Sequence, residues 1–388
     1  MKIFVLGVPH TITSPEFSTC AFTMKTFNLC RMLTRAGNQV IHLGVEGSNP
    51  ECTEHVDIVT HDYWAKFFKH PGTAFYDCNV TPQNEEYHKR WTKNASIEIR
   101  KRIDDDWESI ICCTWNGTQR NVVNEFPRQY VVESGIGYLH GQFAQFRVFE
   151  SHAWMHYTRG MEHIPNDQRW YWTVIPNAFD QTMFEYREKR GEDFLFMGRL
   201  NDDKGVQIAI DASKAAKRKI TICGQGDPTR FLKHNWVTYH APAGIEERRR
   251  LMAEAKAVFC PSWYTEPFCG VSIEAQMSGA PVICSNHGAF PENVLHGITG
   301  YRCQTMNQFC QAAIEIDKIV PRMCREWAEN FTLEAVAPQY SEYFTQVLGL
   351  HNGKDWNHFE PGTARLDVTK REYPQPMVCV TSNGIMQL

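Results

Sequence analysis

The chain is 388 residues long and 43% hydrophobic, enough apolar sequence to fill the cores of two or three ordinary domains. With 40 Lys and Arg against 44 Asp and Glu the net charge is −4, which supplies no global attraction to a nucleic-acid backbone or an anionic membrane. No run approaches the ~18 uninterrupted apolar residues of a membrane span, so integral membrane contact is not expected.

The opening MKIFVLGV holds an apolar run too short for a signal sequence and reads as a first β-strand. AFTMKTFNLCRMLTRAG follows with Phe22, Phe27, Leu29, Cys30 and Leu33 near helical spacing and a glycine stop, and NQVIHLGV reads as the next strand. This is a βαβ unit. Further strands are expected at SIICCTW, QYVVES and WYWTVIP, and helices at EYHKRWTKNASIEIRKRI and at FAQFRVFESHAWMHYTRG, giving an α/β domain over residues 1–175. A second series begins near Pro176. It runs DFLFMG (strand), GVQIAIDASKAAK (helix), KITICG (strand), IEERRRLMAEA (helix), AVFCPS (strand), GVSIEAQMSG (helix) and APVICS (strand), then a helical region from Met306 to Asn330. Two such series imply two doubly wound domains facing each other across a cleft. The second is placed at 176–335, and 336–388 is read as a helix returning to the first domain plus a tail that ends in an edge strand, MVCVTSN.

The 14 cysteines are scattered without a Cys-x-x-Cys pair, and several lie in apolar runs such as SIICCTW and PVICSN. They read as reduced thiols of a cytoplasmic protein. His152 and His156 stand one helical turn apart, a metal-compatible spacing, but with no third ligand in view packed histidines are the simpler reading. The acidic run DDD at 104–106 and the charged runs RKRIDDDW and EERRRLMAEA read as solvated surfaces.

Chemistry is expected in the loops after strand ends. After FLFMG, Gly198, Arg199 and Lys204 lie between a strand and a helix start, where two cations and free N–H groups suit a diphosphate. After AVFCPS, the stretch YTEPFCGVSIEAQMSGAP sets Glu266 in a loop and Glu274 in the following helix. A carboxylate accepts two hydrogen bonds from a vicinal diol, and the N–H groups after Pro267 point toward a phosphate or developing oxyanion.

Taken together, FMGRLNDDKGVQIAIDA, ITICGQGD, AVFCPSWYTEPFCGVSIEAQMSGAPVICSNHGAFPENVLHGITGYRC and the linker VIPNAFD resemble the C-terminal domain of retaining GT-B glycosyltransferases of family four, the glycosyl transferases group 1. The resemblance covers about residues 172 to 303. It implies an α/β GT-B fold, two Rossmann-like domains with the donor held by the second, and transfer from a nucleotide sugar to an acceptor hydroxyl with retention and without a metal or other cofactor. Arg199 and Lys204 would hold the diphosphate, Glu274 the ribose, and Glu266 the sugar hydroxyls. The backbone at Phe268, Cys269 and Gly270 would lie near the sugar and distal phosphate, and Gly224 and Gly226 would let the chain approach the nucleotide. Pro291 and Glu292 belong to a motif of structural role. A UDP-sugar is the first choice of donor, then a GDP- or ADP-sugar. The acceptor is a saccharide, a glycolipid or a small metabolite, with a hydroxymethylated DNA base less favoured. A nucleotide-sugar-binding or scaffold protein without transfer is the alternative.

Three departures from that family stand out. Cys269 occupies a position commonly glycine, and HTITSPEFSTC, with Ser18 and Thr19, replaces a loop of paired glycines. The first-domain histidine of the family has no clear counterpart, which leaves Glu133 and His140 as candidates for sugar or acceptor contacts.

Overall fold

In the computed structural model, residues 1–68, 85–103, 109–162 and 171–350 are described, with the backbone of two short strands near the C-terminus. The chain divides into two compact units. The first holds β1 (Lys2–Leu6), α1 (Ala21–Arg35), β2 (Gln39–Val45), β3 (Glu54–Val59), α2 (His61–Phe68), α3 (Glu85–Arg100), β4 (Ser109–Cys113), α4 (Arg120–Val123), β5 (Tyr130–Ile136), β6 (Phe146–Phe149), α5 (His152–Met161) and β7 (Trp172–Val174). Its seven strands are all parallel, in the order β3-β2-β1-β4-β5-β6-β7.

Strand alternation divides the core between the two faces of this sheet. Phe4 and Leu6 of β1 join Trp64, Tyr87 and Trp91 on one side. Ile3 and Val5 join Leu29 and Leu33 of α1 on the other.

The second unit, Gln181–Thr332, holds β8 (Phe194–Met197), α6 (Val206–Ala215), β9 (Ile220–Cys223), β10 (Val237–His240), α7 (Ile245–Glu254), β11 (Val258–Cys260), α8 (Gly270–Met277), β12 (Val282–Ser285), α9 (Phe290–Asn293), β13 (Gly300–Cys303), α10 (Met306–Glu315) and α11 (Pro321–Ala328). Its parallel sheet runs β10-β9-β8-β11-β12-β13. Phe194 and Phe196 pack toward α6 and α10, while Leu195 and Met197 pack toward α7 and α8. The buried guanidinium of Arg190 ties those last two helices together, donating to Ser278 O at 2.6 Å and to Ala255 O at 2.9 Å. Burial pushes it down to about 10.

Beyond this unit, α12 (Leu333–Gly349) belongs to the first. Val336, Phe344 and Val347 pack with α1 and β4 residues, and Tyr343 donates its hydroxyl proton to Tyr171 O at 2.6 Å. The strands β14 (Cys379–Thr381) and β15 (Gly384–Met386) pair antiparallel.

One sequence expectation needs correction. The helix expected over FAQFRVFESHAWMHYTRG is a strand followed by a helix, β6 then α5. Ser151 explains the break: in extended backbone, its side chain accepts from Trp154 N and caps α5, a signal missed because apolar residues run on through both elements. The helical region after Met306 is two helices, with Pro321 starting the second at its first turn, as proline favours. Short, polar β3, β10 and β13 lack the long apolar run that marked the other strands. The DDD run lies outside the described residues.

The described cysteines are all free thiols, most of them buried. Among the described residues no helix is long and apolar enough to cross a membrane.

Candidate functional site

A doubly wound sheet binds ligands where its strand order reverses, because the loops leaving the two strands there diverge and open a crevice. In the second unit that point lies between β8 and β11. The loop after β8 carries Arg199 and Lys204, and the loop after β11 carries Ser262, Tyr264 and Glu266. Lys204 ends a single 3-10 turn. Its Nζ donates to Glu266 Oε1 at 2.6 Å and to the Tyr264 hydroxyl at 2.5 Å, joining residues 62 apart in the chain. Ser262 Oγ donates to the same carboxylate oxygen at 2.6 Å.

The Lys204 and Glu266 side chains are 20% and 5% exposed. Burial opposes the charge on Lys204, but the Glu266 carboxylate, followed by Cys269 and Tyr264, outweighs it and raises the ammonium above its ordinary value. A fixed cation, paired with Glu266, therefore stands at the crevice. Burial, then Glu266, also raises the Tyr264 phenol. Arg199 is exposed and has no partner among the described residues.

The segment after Glu266 is held from the motif GAFPE. Gly288 has φ +61°, and a Cβ there would lie 2.7 Å from Glu266 N. Its absence lets Ala289 N donate to Glu266 O at 3.1 Å. Pro291 stands in the first turn of the short helix α9, whose last residue, Asn293, donates from Nδ2 to Phe268 O at 2.5 Å. The Phe268 ring, 2% exposed, packs edge-on against Phe331 at 6.0 Å. Its side chain thus anchors the loop in the core and leaves only backbone to serve a ligand. Cys269 follows at the N-cap of α8 in left-handed backbone, φ 63° and ψ 72°, a conformation that strains side-chain-bearing residues. Gly270 is the first residue of the helix.

Glu274, one turn into α8, is not solvated. Arg248 of α7 donates from Nε to its Oε2 at 2.7 Å and from Nη2 to the same atom. The sequence reading of EERRRLMAEA as a solvated face is corrected here: Arg250 does face solvent with Glu247 and Glu254, but Arg248, turned toward α8, is only 20% exposed. Gly224 and Gly226 also have a requirement the sequence did not reveal. At Gly224, φ is +151° and a Cβ would stand 1.9 Å from Gly198 O; at Gly226 it would crowd Leu200. These glycines allow the loops after β8 and β9 to lie against each other, with Leu200 N donating to Gln225 O at 2.7 Å.

In the first unit Glu133 is fully buried. Tyr138 donates its hydroxyl proton to Oε1 at 2.7 Å, and Phe143 N and Ala144 N each donate to Oε2 at 2.8 Å. Burial raises this carboxyl above its ordinary value despite those bonds. Its candidacy for sugar contact is corrected: it fastens the loop after β5, and both oxygens are engaged. His140 is exposed in that loop. Ser18 and Thr19 precede α1 without capping it, since the N-cap is Cys20 and makes no side-chain cap bond. His152 and His156 are exposed on α5, their ring centroids 6.5 Å apart, and no group of three metal-ligating side chains occurs among the described residues.

Sequence reasoning missed Arg248, Tyr264 and Ser262. A run of three arginines does not say which one faces inward, and nothing in PSWYTEP marks its hydroxyls as partners of a lysine in another loop. A 460 Å³ hollow also opens at the amino end of β8, lined by Glu192, Asp193, Thr221, Arg250 and Glu254 among others. Its acids suit a diphosphate poorly, and it lies at the wrong end of the strands.

Residues 191–317 match the family model of the glycosyl transferases group 1. Over these residues the second unit is similar to the glycosyl transferases group 1. Within it lie Arg199, Lys204, Arg248, Glu266 and Glu274. The glycogen synthase of Mycobacterium tuberculosis is 33% identical over 148 residues, which is 34% of this chain and 36% of that protein. The match thus spans about a third of the length of that curated relative.

Likeness of fold extends beyond residues 191–317. AviGT4, a glycosyltransferase involved in avilamycin A biosynthesis, superposes with a TM-score of 0.66 at 17% identity, covering 90% of this chain and 98% of its own. Anabaena Alr3699/HepE, solved in complex with UDP and glucose, gives 0.62 at 14% identity, covering 89% and 99%. The fold is GT-B, with two Rossmann-like α/β units in one chain.

Proposed function

We propose that the protein is a retaining glycosyltransferase that moves a sugar from a nucleotide-sugar donor to an acceptor hydroxyl without a metal ion. One observation carries this reading: Lys204 and Glu266 meet at the strand-order reversal of the second unit. In this reading the diphosphate rests against Lys204 and Arg199, Glu266 attends the sugar hydroxyls, and Glu274 takes the ribose. The bond from the anomeric carbon to the phosphate oxygen breaks with its electron pair going to the diphosphate. The acceptor oxygen bonds to that carbon from the same face, and its proton passes to the departing phosphate. Negative charge grows on the leaving group, so a cation fixed beforehand, here Lys204, lowers the barrier. No step assigns Glu266 a covalent bond to the sugar.

A UDP-sugar is the first donor to try, supported by the neighbour solved with UDP and glucose; GDP- and ADP-sugars follow. The acceptor is a saccharide, glycolipid or small metabolite, ahead of a hydroxymethylated DNA base, for which a net charge of −4 supplies no attraction. The free thiols support a cytoplasmic enzyme.

Incubation with a panel of radiolabelled UDP-, GDP- and ADP-sugars and varied acceptors, with and without EDTA, tests the proposal. Release of nucleoside diphosphate with label in the acceptor, undiminished by EDTA, is the expected result. Binding without release would favour the scaffold alternative, and loss of activity in EDTA would overturn metal independence.

A further inference from the structure

We infer that Arg248 is a positioning residue for nucleotide binding: it holds one oxygen of Glu274 so that the other is presented to the vicinal diol of a nucleoside diphosphate. The inference rests on the donor-site reading above. The geometry behind it is the two-to-one contact. Nε at 2.7 Å and Nη2 both donate to Oε2, and Oε1 has no partner among the described residues. A fork that engaged both oxygens would leave only one acceptor site on each and would turn neither wholly toward a ligand. Here the lone pairs of Oε1 stay available, and an ionised carboxylate oxygen accepts two hydrogen bonds.

Placement supports the assignment. The pair is mostly buried, the side chains being 20% and 15% exposed, so the carboxylate is held in one orientation before a ligand arrives. A glutamate free to rotate would lose that freedom on binding, and removing this cost raises affinity. The two helices that carry the pair are fixed at their far ends by Arg190, which donates to Ala255 O after α7 and to Ser278 O after α8. Arg248 therefore approaches from a rigid element. The sequence gives no hint of this, since Arg248, Arg249 and Arg250 are chemically identical neighbours.

Calorimetric titration of the full chain with UDP and with 2′,3′-dideoxy-UDP, which lacks the diol, tests the inference; GDP, ADP and their dideoxy forms serve if UDP is not bound. Arg248→Ala should weaken UDP binding by about tenfold or more, the worth of a charged hydrogen bond, and leave the dideoxy ligand unaffected. Arg248→Lys, which offers a single point of contact, should fall between. In turnover the donor KM should rise while kcat at saturation stays within about twofold. Equal losses for both ligands would show a merely structural pair and overturn the inference, as would unchanged UDP binding. If Arg248→Ala fails to fold by circular dichroism, Arg248→Lys carries the same comparison. Should the wild-type chain bind none of the three nucleoside diphosphates, the donor-site reading itself falls and this inference with it.

Discussion

Lys204 and Glu266 form a mostly buried ion pair, whose structural weight can be measured apart from the chemistry proposed for it. Glu266 is 4% exposed, so Lys204→Ala leaves a buried carboxylate without its cation. This should destabilise the second unit by about 3 kcal/mol in urea denaturation and, if the lysine stabilises the leaving group, lower kcat by about a hundredfold. In the double variant Lys204→Ala with Glu266→Gln stability should largely return, which shows that the loss came from the unpaired carboxylate. Cys269 offers the opposite case. Its left-handed backbone costs a side-chain-bearing residue roughly 1–2 kcal/mol, while glycine adopts it freely at some expense in chain entropy. Cys269→Gly should therefore raise the denaturation midpoint by the equivalent of about 1 kcal/mol or less, with activity preserved. A lowered midpoint would mean that the packing of the Cys269 side chain against its core cluster outweighs the strain. That cysteine was legible in the sequence as a departure, but its dihedral angles were not.

Among the elements, those with a local cause were read well and those defined by a neighbour were not. β1, α1, β8, α6 and α8 follow from apolar runs, helical spacing and glycine or proline stops. β6 was absorbed into a helix because only the Ser151 cap marks the boundary. Ser151→Ala should destabilise the first unit by about 1 kcal/mol, measurable as a shift in its urea midpoint. The loops after β8 and β9 depend on a glycine for contact with each other rather than for a turn alone. Gly224→Ala would force a methyl to within 1.9 Å of Gly198 O, so the loop bearing Arg199 must move. We expect a loss of at least about 2 kcal/mol in stability, together with weaker binding of nucleoside diphosphate. Wild-type behaviour in both assays would show that the two loops separate easily.

For the whole molecule, pH is the clearest lever, through histidines buried in the first unit. The ring of His42 is fully buried between His55 Nδ1 at 2.9 Å and Thr13 Oγ1 at 3.1 Å. Burial, then the charge of His55, holds it well below its ordinary value. Burial, then His88, lowers His10 to about 4. The unfolded chain protonates these rings near pH 6.5 while the folded chain keeps them neutral, so the unfolded state binds more protons below that pH and stability falls as pH drops. Above it the contribution is flat. Each ring accounts for up to about 1.4 kcal/mol per pH unit between 6.5 and its folded value. Urea midpoints should thus be lower at pH 5.0 than at 7.5, and His42→Gln should flatten the difference. By itself the sequence determined the α/β class, the two series of alternating elements, the loops that carry Arg199, Lys204 and Glu266 and the helix that carries Glu274, because strand and helix periodicity, turn residues and motif spacing are local properties of the chain. Only the tertiary structure decided that Lys204 meets Glu266, that Arg248 and not Arg250 grips Glu274, and that Glu133 is consumed within its own loop. Those outcomes depend on strand order and helix facing, which bring together residues far apart in the chain and leave no periodic trace in it.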